Sequence, residues 1–333
     1  MSTELVLWGT FLGTLLAAIL RASAPIILSA FGGLISDLAG SVNIALEGIM
    51  LVAAFFGVIA SAYSAIWFPE APLWLHPWMG CLAGLLAGVM IAGLLAVFHL
   101  ELGADIIVAG VGINILASGL TVFLLVSITG DKGSTATLTG YALPSLHIPF
   151  VDTVPIIGTI LNGDGLAGHN FIVYAALLAT PLLSLLLYRT RFGLRLRAVG
   201  ENPDAALAAG ISVKRVQYSA LLLSGLLASL GGVFLSMGYL TLFQADMTGG
   251  RGFLALAAVF LGGRRPLGTL IAAVVFGAST VFAAQLGSYN VPSQIVFMIP
   301  PALTILALVF FNIQQKRRIG RRTTRAASAL RHA

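Results

Sequence analysis

The 333-residue chain is 58% hydrophobic and only 9% charged, with 18 Lys and Arg against 12 Asp and Glu. A soluble domain carries about 25% charged residues to cover its surface, so this composition excludes a soluble globule and points to a chain solvated by lipid. At about 20 apolar residues per helical crossing, the length gives roughly eight to ten spans.

Ten apolar runs follow in order: Leu5–Leu20, Ala24–Leu38, Ile44–Ile66, Trp78–Leu100, Ile106–Ile128, Phe171–Tyr188, Val216–Leu240, Gly252–Gly263, Gly268–Leu286 and Ser293–Phe311. The first has no Lys or Arg ahead of it and no A-x-A-like site after it, so it reads as a retained helix rather than a secretory signal. Ala24–Leu38 and Gly252–Gly263 are short and glycine-rich, the pattern of re-entrant or broken helices. Counting either as re-entrant leaves eight or nine full spans. The sole cysteine, Cys81, lies inside an apolar run, so the chain has no internal disulfide.

The placement of charge sets the topology. Only Arg21 and Lys132 precede residue 188, whereas basic residues cluster between Arg189 and Arg215 and again between Lys316 and Arg331. Basic clusters bordering apolar helices belong on the cytoplasmic face. The acidic stretch Thr129–Asn170 and the Tyr63–Pro77 connection, which has no Lys or Arg, then fall outside. Ten segments satisfy this parity with the N-terminus, Arg264–Arg265 and the C-terminus all inside. The chain reads as one transmembrane domain over 1–315, with a central cytoplasmic loop at 189–215 and a basic cytoplasmic tail at 316–333 that contacts anionic lipid. No basic face on a soluble module exists for nucleic acid. Segments two to five and seven to ten form two blocks, each with one short interrupted element, as in inverted repeats that place a site near the membrane midplane.

Within the central loop, Glu201, Asn202, Pro203, Asp204, Ala205, Ala206, Leu207, Ala208, Ala209 and Gly210 form a short helix with legible ends. Asn202 suits the N-cap, Pro203 the first helical position, Asp204 the positive end of the dipole and Gly210 the left-handed stop. A small-residue helix between two spans is either an ordinary interfacial helix or a dock for another protein.

Four stretches carry a family resemblance. RLRAVGENPDAALAAGI, beginning at Arg195, resembles the cytoplasmic loop of permease subunits of ABC importers for sugars, nucleosides and branched-chain amino acids. Gly40–Gly57, Asp105–Leu120 and Thr248–Gly268 agree with the same family in order and spacing, and NIALEG, from Asn43 to Gly48, is most similar to its nucleoside and simple-sugar branch. The resemblance implies an all-α polytopic fold similar to the cobalamin-importer permease. It implies a coupling helix at Asn202–Gly210 seated in a cytoplasmic ABC ATPase. A second homologous permease, as a heterodimer, and an extracytoplasmic substrate-binding protein or lipoprotein complete the expected partners. The membrane would be the cytoplasmic (inner) membrane. The chain itself contains no G-x-x-x-x-G-K-[ST], so it is read as a pathway and not as an ATPase, and it needs no cofactor.

Ionisable and amide groups inside membrane segments mark the candidate pathway, because burying them in lipid is costly. Asn43 and Glu47 lie four residues apart on one helical face, and Asn114, Ser118 and Thr121 form a second polar stripe. These groups suit the hydroxyls and base edges of an uncharged cargo; equally, Asn43 and Glu47 cap a broken helix, and Asn114 makes an interhelical hydrogen bond. Asp37 and Asp105 are expected at hydrated cytoplasmic ends. Gln244 and Asp246 precede the broken Gly252 segment and line either an outer vestibule or an exposed loop. Arg251 anchors its helix or meets an anionic partner. The five histidines, at 76, 99, 147, 169 and 332, lack ligand spacing, so no metal site is expected. Gly110-Val111-Gly112 lacks the preceding strand of a dinucleotide fold and signals close helix packing. The competing function is an ion- or proton-coupled secondary carrier of a small polar solute, for which broken helices and Glu47 serve equally well; an intramembrane enzyme or channel lacks catalytic pairs or a filter motif.

Overall fold

The computed structural model describes residues 3–153, 155–163, 168–287 and 302. The chain divides into two compact units, Met1–Val281 and Phe282–Ala333, the second described only at 282–287 and 302.

Helix α1 (Thr3–Leu38) is continuous over 36 residues, where the sequence pattern predicts two segments parted near Arg21. A lone Arg among good helix formers does not stop a helix, and Pro25 lies inside α1 without ending it. Merging the two runs changes the parity. The last turn of α1 lies at the basic-loop end of the bundle, where Gly200 packs against the Leu38 carbonyl and Gln217 Nε2 donates to the Ala39 carbonyl at 3.4 Å. Its first half lies at the opposite end, with Gly13 against Thr159. The expected N-terminus on the basic side is therefore corrected: α1 begins at the far end.

Helices α2 (Leu46–Trp67), α3 (Leu75–Leu100) and α4 (Ile106–Thr129) follow and match three predicted runs to within a few residues. The Thr129–Asn170 stretch lies at the far end and is structured: strand β1 (Ser145–Leu146) pairs antiparallel with β2 (His169–Asn170), and a 3-10 turn and helix α5 (Pro155–Asn162) intervene. Helix α6 (Phe171–Arg189) returns to the basic end, where α7 (Arg191–Glu201) and α8 (Pro203–Ala208) form the central loop. Helix α9 (Val213–Val233) continues into a π-helical turn, Phe234–Tyr239, and α10 (Arg251–Leu261) and α11 (Pro266–Gly287) complete the described fold. Among the described residues seven helices are long and apolar enough to cross a membrane, and α10 is too short. The predicted run Ser293–Phe311 and the basic tail lie outside the described residues.

Helices in lipid associate through close van der Waals contact rather than hydrophobic driving force, which favours small residues at their interfaces. Gly80, Gly84 and Gly88 recur every four residues on α3 and face α2 and α9. A Cβ at Gly84 would lie 2.6 Å from the Ala53 carbonyl oxygen, and one at Gly88 would collide with Ser229. Gly232 of α9 rests directly on the Met50 backbone of α2. Large apolar side chains point outward at helical spacing instead: Leu82, Leu86 and Met90 on α3, Leu178, Leu182 and Leu185 on α6, Ile271 and Val275 on α11. This inversion of a soluble core pattern is what a lipid-facing surface requires.

Two interruptions organise the centre. After α1 the chain turns at Gly40 (φ +78°) and runs non-helically through residues 39–45 before α2 starts. After the π-helical turn it again runs non-helically through 240–250 before α10 starts. The break in the first block thus follows Ala24–Leu38, rather than making that run a short element of its own. The Gly252 segment is short, as predicted.

Candidate functional site

The two interrupted helices start against each other, and their free backbone N–H groups set the chemistry there. A helix start leaves four donors unpaired, and inside a membrane each must find an internal acceptor. Glu47, in the first turn of α2, supplies both carboxylate oxygens to the start of α10: Gly250 N–H donates to Oε1 at 2.7 Å and Gly252 N–H to Oε2 at 2.6 Å. The approach requires glycine, since a Cβ at Gly252 would collide with the Glu47 backbone, and Gly250 adopts φ +82°. The negative charge also sits at the positive end of the α10 dipole.

The start of α2 is capped from elsewhere in the fold. Gly48 N–H donates to Asn114 Oδ1 at 2.8 Å, and Asn114 Nδ2 returns a hydrogen bond to the Ile44 carbonyl at 2.9 Å. One α4 amide therefore ties the end of the break and the first turn of α2 to its own helix. Asn43 is fully buried: its Oδ1 accepts from Ala45 N–H, its Nδ2 donates to Ser224 Oγ, and its backbone N–H donates to Ser36 Oγ. The sequence gives no signal for Ser36 and Ser224, because their pairing with Asn43 depends on tertiary contact. Thr121 is also buried and donates to the Ala117 carbonyl of its own helix at 2.8 Å.

Ser118 has a different environment. It lies midway along α4 and its hydroxyl donates to Asp246 Oδ1 at 2.8 Å. Asp246 is exposed in the 240–250 stretch and holds φ +54°, a left-handed conformation that Asp tolerates better than most residues. Gln244 of the same stretch bridges to Ser134, just past the far end of α4. The stretch thus descends from the far end along α4 to Ser118. Arg251 Nη1 donates to the Met247 and Thr248 carbonyls at 2.9 and 3.0 Å, so it straps this loop to α10. Gly110 packs on Ile44 as its spacing suggests, whereas Gly112 has open space where a Cβ would be.

At the basic end, Asp105 is the N-cap of α4, accepting from Ile107 and Val108 N–H, and is exposed as expected. Asp37 is not. It is buried and paired with Arg264: Nη2 donates to Oδ1 at 3.1 Å, while Nε lies 2.9 Å from Oδ2, out of hydrogen-bond alignment. The pair joins the end of α1 to the turn after α10, so the expected solvated carboxylate is corrected to a buried one. Glu101, beyond the end of α3, accepts from Lys214 and Tyr218 of α9, and these hydrogen bonds, Lys214 first, hold its carboxyl below its ordinary value.

Helix α8 has the ends its sequence suggests. Asn202 Oδ1 accepts from Ala205 N–H at 3.0 Å, Pro203 opens the first turn, and Gly210 takes φ +77°. Glu201 closes α7 instead of opening α8. Ala206 is buried, whereas Pro203, Asp204, Ala205, Ala208, Ala209 and Gly210 are exposed and Leu207 is 64% exposed. On α7, Leu194 is exposed between Arg191 and Arg195, also exposed.

The sequence matches, over residues 15–309, the family described as the branched-chain amino acid transport system permease component. It is 35% identical over 303 residues to the nucleoside ABC transporter permease protein NupC of Lactococcus lactis, covering 89% of this chain and 92% of that protein. It is 34% identical to the guanosine ABC transporter permease protein NupQ of Bacillus subtilis, covering 90% and 92%. A glucose ABC transporter permease protein of Haloferax volcanii is 28% identical, covering 92% of this chain and 78% of that one. A multi-pass helical bundle with paired helix interruptions, matched along nearly its whole length, belongs to the family of branched-chain amino acid transport system permease components.

Proposed function

We propose that this chain is one permease subunit of an ATP-driven importer for nucleosides, with simple sugars as the neighbouring cargo class, and that it lines half of the pathway. The observation that carries this reading is the exposed, non-helical 240–250 stretch lying along the middle of α4. Irregular backbone at membrane depth is tolerated only inside protein or beside water, and Gln244, Asp246 and Gly249 are exposed. The face formed by α4, this stretch and the start of α10 is therefore read as the wall of a water-filled path. Ser118 and Asp246 line it, with Asn114 and Glu47 at its base. Asn43 and Thr121, buried and bonded inward, support it. The nucleoside assignment rests on the two relatives named for nucleosides and guanosine.

The reading places the basic end in the cytoplasm of an inner-membrane protein, the basic tail with it, and the start of α1 outside. A separate ABC ATPase docks on α8, through the exposed Leu207, Ala208 and Ala209. Its closure rocks this subunit against a second, homologous permease, giving alternating access, while an extracytoplasmic binding protein delivers cargo at the far end. The exposed apolar and basic surface of α7 and α8 supports the docking role.

Purification of the tagged chain from its native membranes, with mass spectrometry of what accompanies it, tests the assembly. A co-purifying ATPase and second permease, with ATP hydrolysis stimulated by nucleoside and binding protein, is the expected result. A chain that emerges alone and, reconstituted alone, moves nucleoside down an ion gradient would instead establish a secondary carrier.

A further inference from the structure

We propose that Asp246 is a specificity-determining residue of this pathway: its free carboxylate oxygen accepts hydrogen bonds from a vicinal diol on an uncharged cargo and turns away phosphorylated ones. The inference rests on the pathway reading above and goes beyond it by naming the chemistry selected.

A left-handed backbone position is filled most readily by glycine, and the same stretch has glycines at φ +53° and +82°, Gly249 and Gly250. Position 246 carries instead an acidic side chain at φ +54°, within the spanning length of the bundle, where an ionisable group is costly and usually functional. Nothing in the local fold neutralises it: among the described residues its side chain is bonded by the Ser118 hydroxyl, and the ion pairs involve other groups. The nearest strap, Arg251, spends its Nη1 on the Met247 and Thr248 carbonyls.

Ser118 holds Oδ1, which fixes the carboxylate plane. Asp246 is itself exposed, and among the described residues its side-chain hydrogen bond reaches Oδ1 alone, which leaves Oδ2 for a cargo. A carboxylate is an acceptor-only group, so it selects donors. Two adjacent hydroxyls, as on a ribose or hexose ring, can donate together to such a group, whereas a phosphate brings only acceptors and like charge. Specificity of this kind is large, because a cargo lacking the hydroxyls leaves the charged acceptor without its partners.

The test is competition against uptake of radiolabelled guanosine by cells carrying the chain with its native partners. The competitors are unlabelled guanosine, 2′,3′-dideoxyguanosine and guanosine 5′-monophosphate. In the parent, guanosine should compete about ten- to a hundredfold better than its dideoxy counterpart, the factor carried by a hydrogen bond to a charged group, and the monophosphate should not compete. In Asp246→Asn, which preserves the left-handed turn and an oxygen for Ser118, that ratio should fall to about threefold or less, while the binding protein is unchanged. Ser118→Ala, which frees the carboxylate without altering the loop backbone, should narrow the ratio to a smaller extent. It carries the test if the first variant fails to reach the membrane. A parent with no preference for the diol, or variants present at normal abundance that keep the parental ratio, would overturn the inference. Deletion of the chain without effect on guanosine uptake would instead overturn the nucleoside reading on which it rests.

Discussion

Replacing Glu47 with Gln isolates the junction between the two interrupted helices. The carboxylate accepts from Gly250 and Gly252 N–H at 2.7 and 2.6 Å. Gln keeps one acceptor oxygen and turns an NH2 donor toward the other N–H, so one charge-assisted bond is lost, about 1.5–3 kcal/mol. Removing the anion from the start of α10 adds up to about 2 kcal/mol in a partly buried geometry. The sum, about 2–5 kcal/mol, is a large share of the roughly 5–15 kcal/mol by which native proteins are stable. Thermal unfolding of the detergent-purified complex, followed by intrinsic tryptophan fluorescence, should show a fall in Tm on the order of 10 °C, with reduced membrane abundance. A Glu47→Gln protein that melts within about 2 °C of the parent yet binds cargo differently would refute the capping argument and make Glu47 a cargo contact instead.

Further substitutions separate the roles assigned above. Gly252→Ala forces a Cβ into the Glu47 backbone and should cost at least the 1–3 kcal/mol typical of overpacking, read as lowered abundance at unchanged transcript level. Ala209→Arg or Leu207→Asp, on the exposed face of α8, should leave abundance and Tm unchanged while abolishing cargo-stimulated ATP hydrolysis. Ala206→Arg, at a buried position, should lower abundance instead, and the same outcome for all three would argue against α8 as a docking face. Glu101, held below its ordinary value of 4.5 chiefly by the Lys214 hydrogen bond, contributes stability that is complete above that value and is lost as pH falls through its lower folded value. The parent should therefore lose more Tm than Glu101→Gln as pH falls below about 4.5, while the difference in Tm between them stays constant from pH 6 to 7.

What was legible in the sequence is what depends on near neighbours. Runs ending at Leu100 and Tyr188 became helices with nearly those bounds, because apolar length and a polar stop are local properties. Asn202, Pro203 and Gly210 could be assigned their capping places for the same reason. The Arg21 region was misread because one polar residue interrupts hydrophobicity without interrupting a helix, and that single merger reversed the side on which the chain begins. Asp37 was expected in water because its partner, Arg264, lies far along the chain and only the fold brings them together. Glu47 was legible as a group needing a partner, but nothing in its own segment identifies Gly250 and Gly252 as that partner. Thr121 fits the spacing of the polar stripe, yet its hydroxyl bonds back to its own helix, a choice that helical periodicity does not distinguish.

The central claim, that the polar face of α4 and the 240–250 stretch line a water-filled cargo path, is tested most directly by thiol accessibility in native membranes. The background is Cys81→Ala, which removes the chain's sole cysteine, a buried one. Single cysteines are then placed at Ser118, Gln244 and Leu182, the last on the outward apolar face of α6. The account predicts that a membrane-impermeant thiol reagent modifies positions 118 and 244, that nucleoside delivered by the binding protein slows modification at 118, and that position 182 stays unmodified. An unreactive position 118 beside a reactive 182 would contradict it and move the pathway to a different face of the bundle.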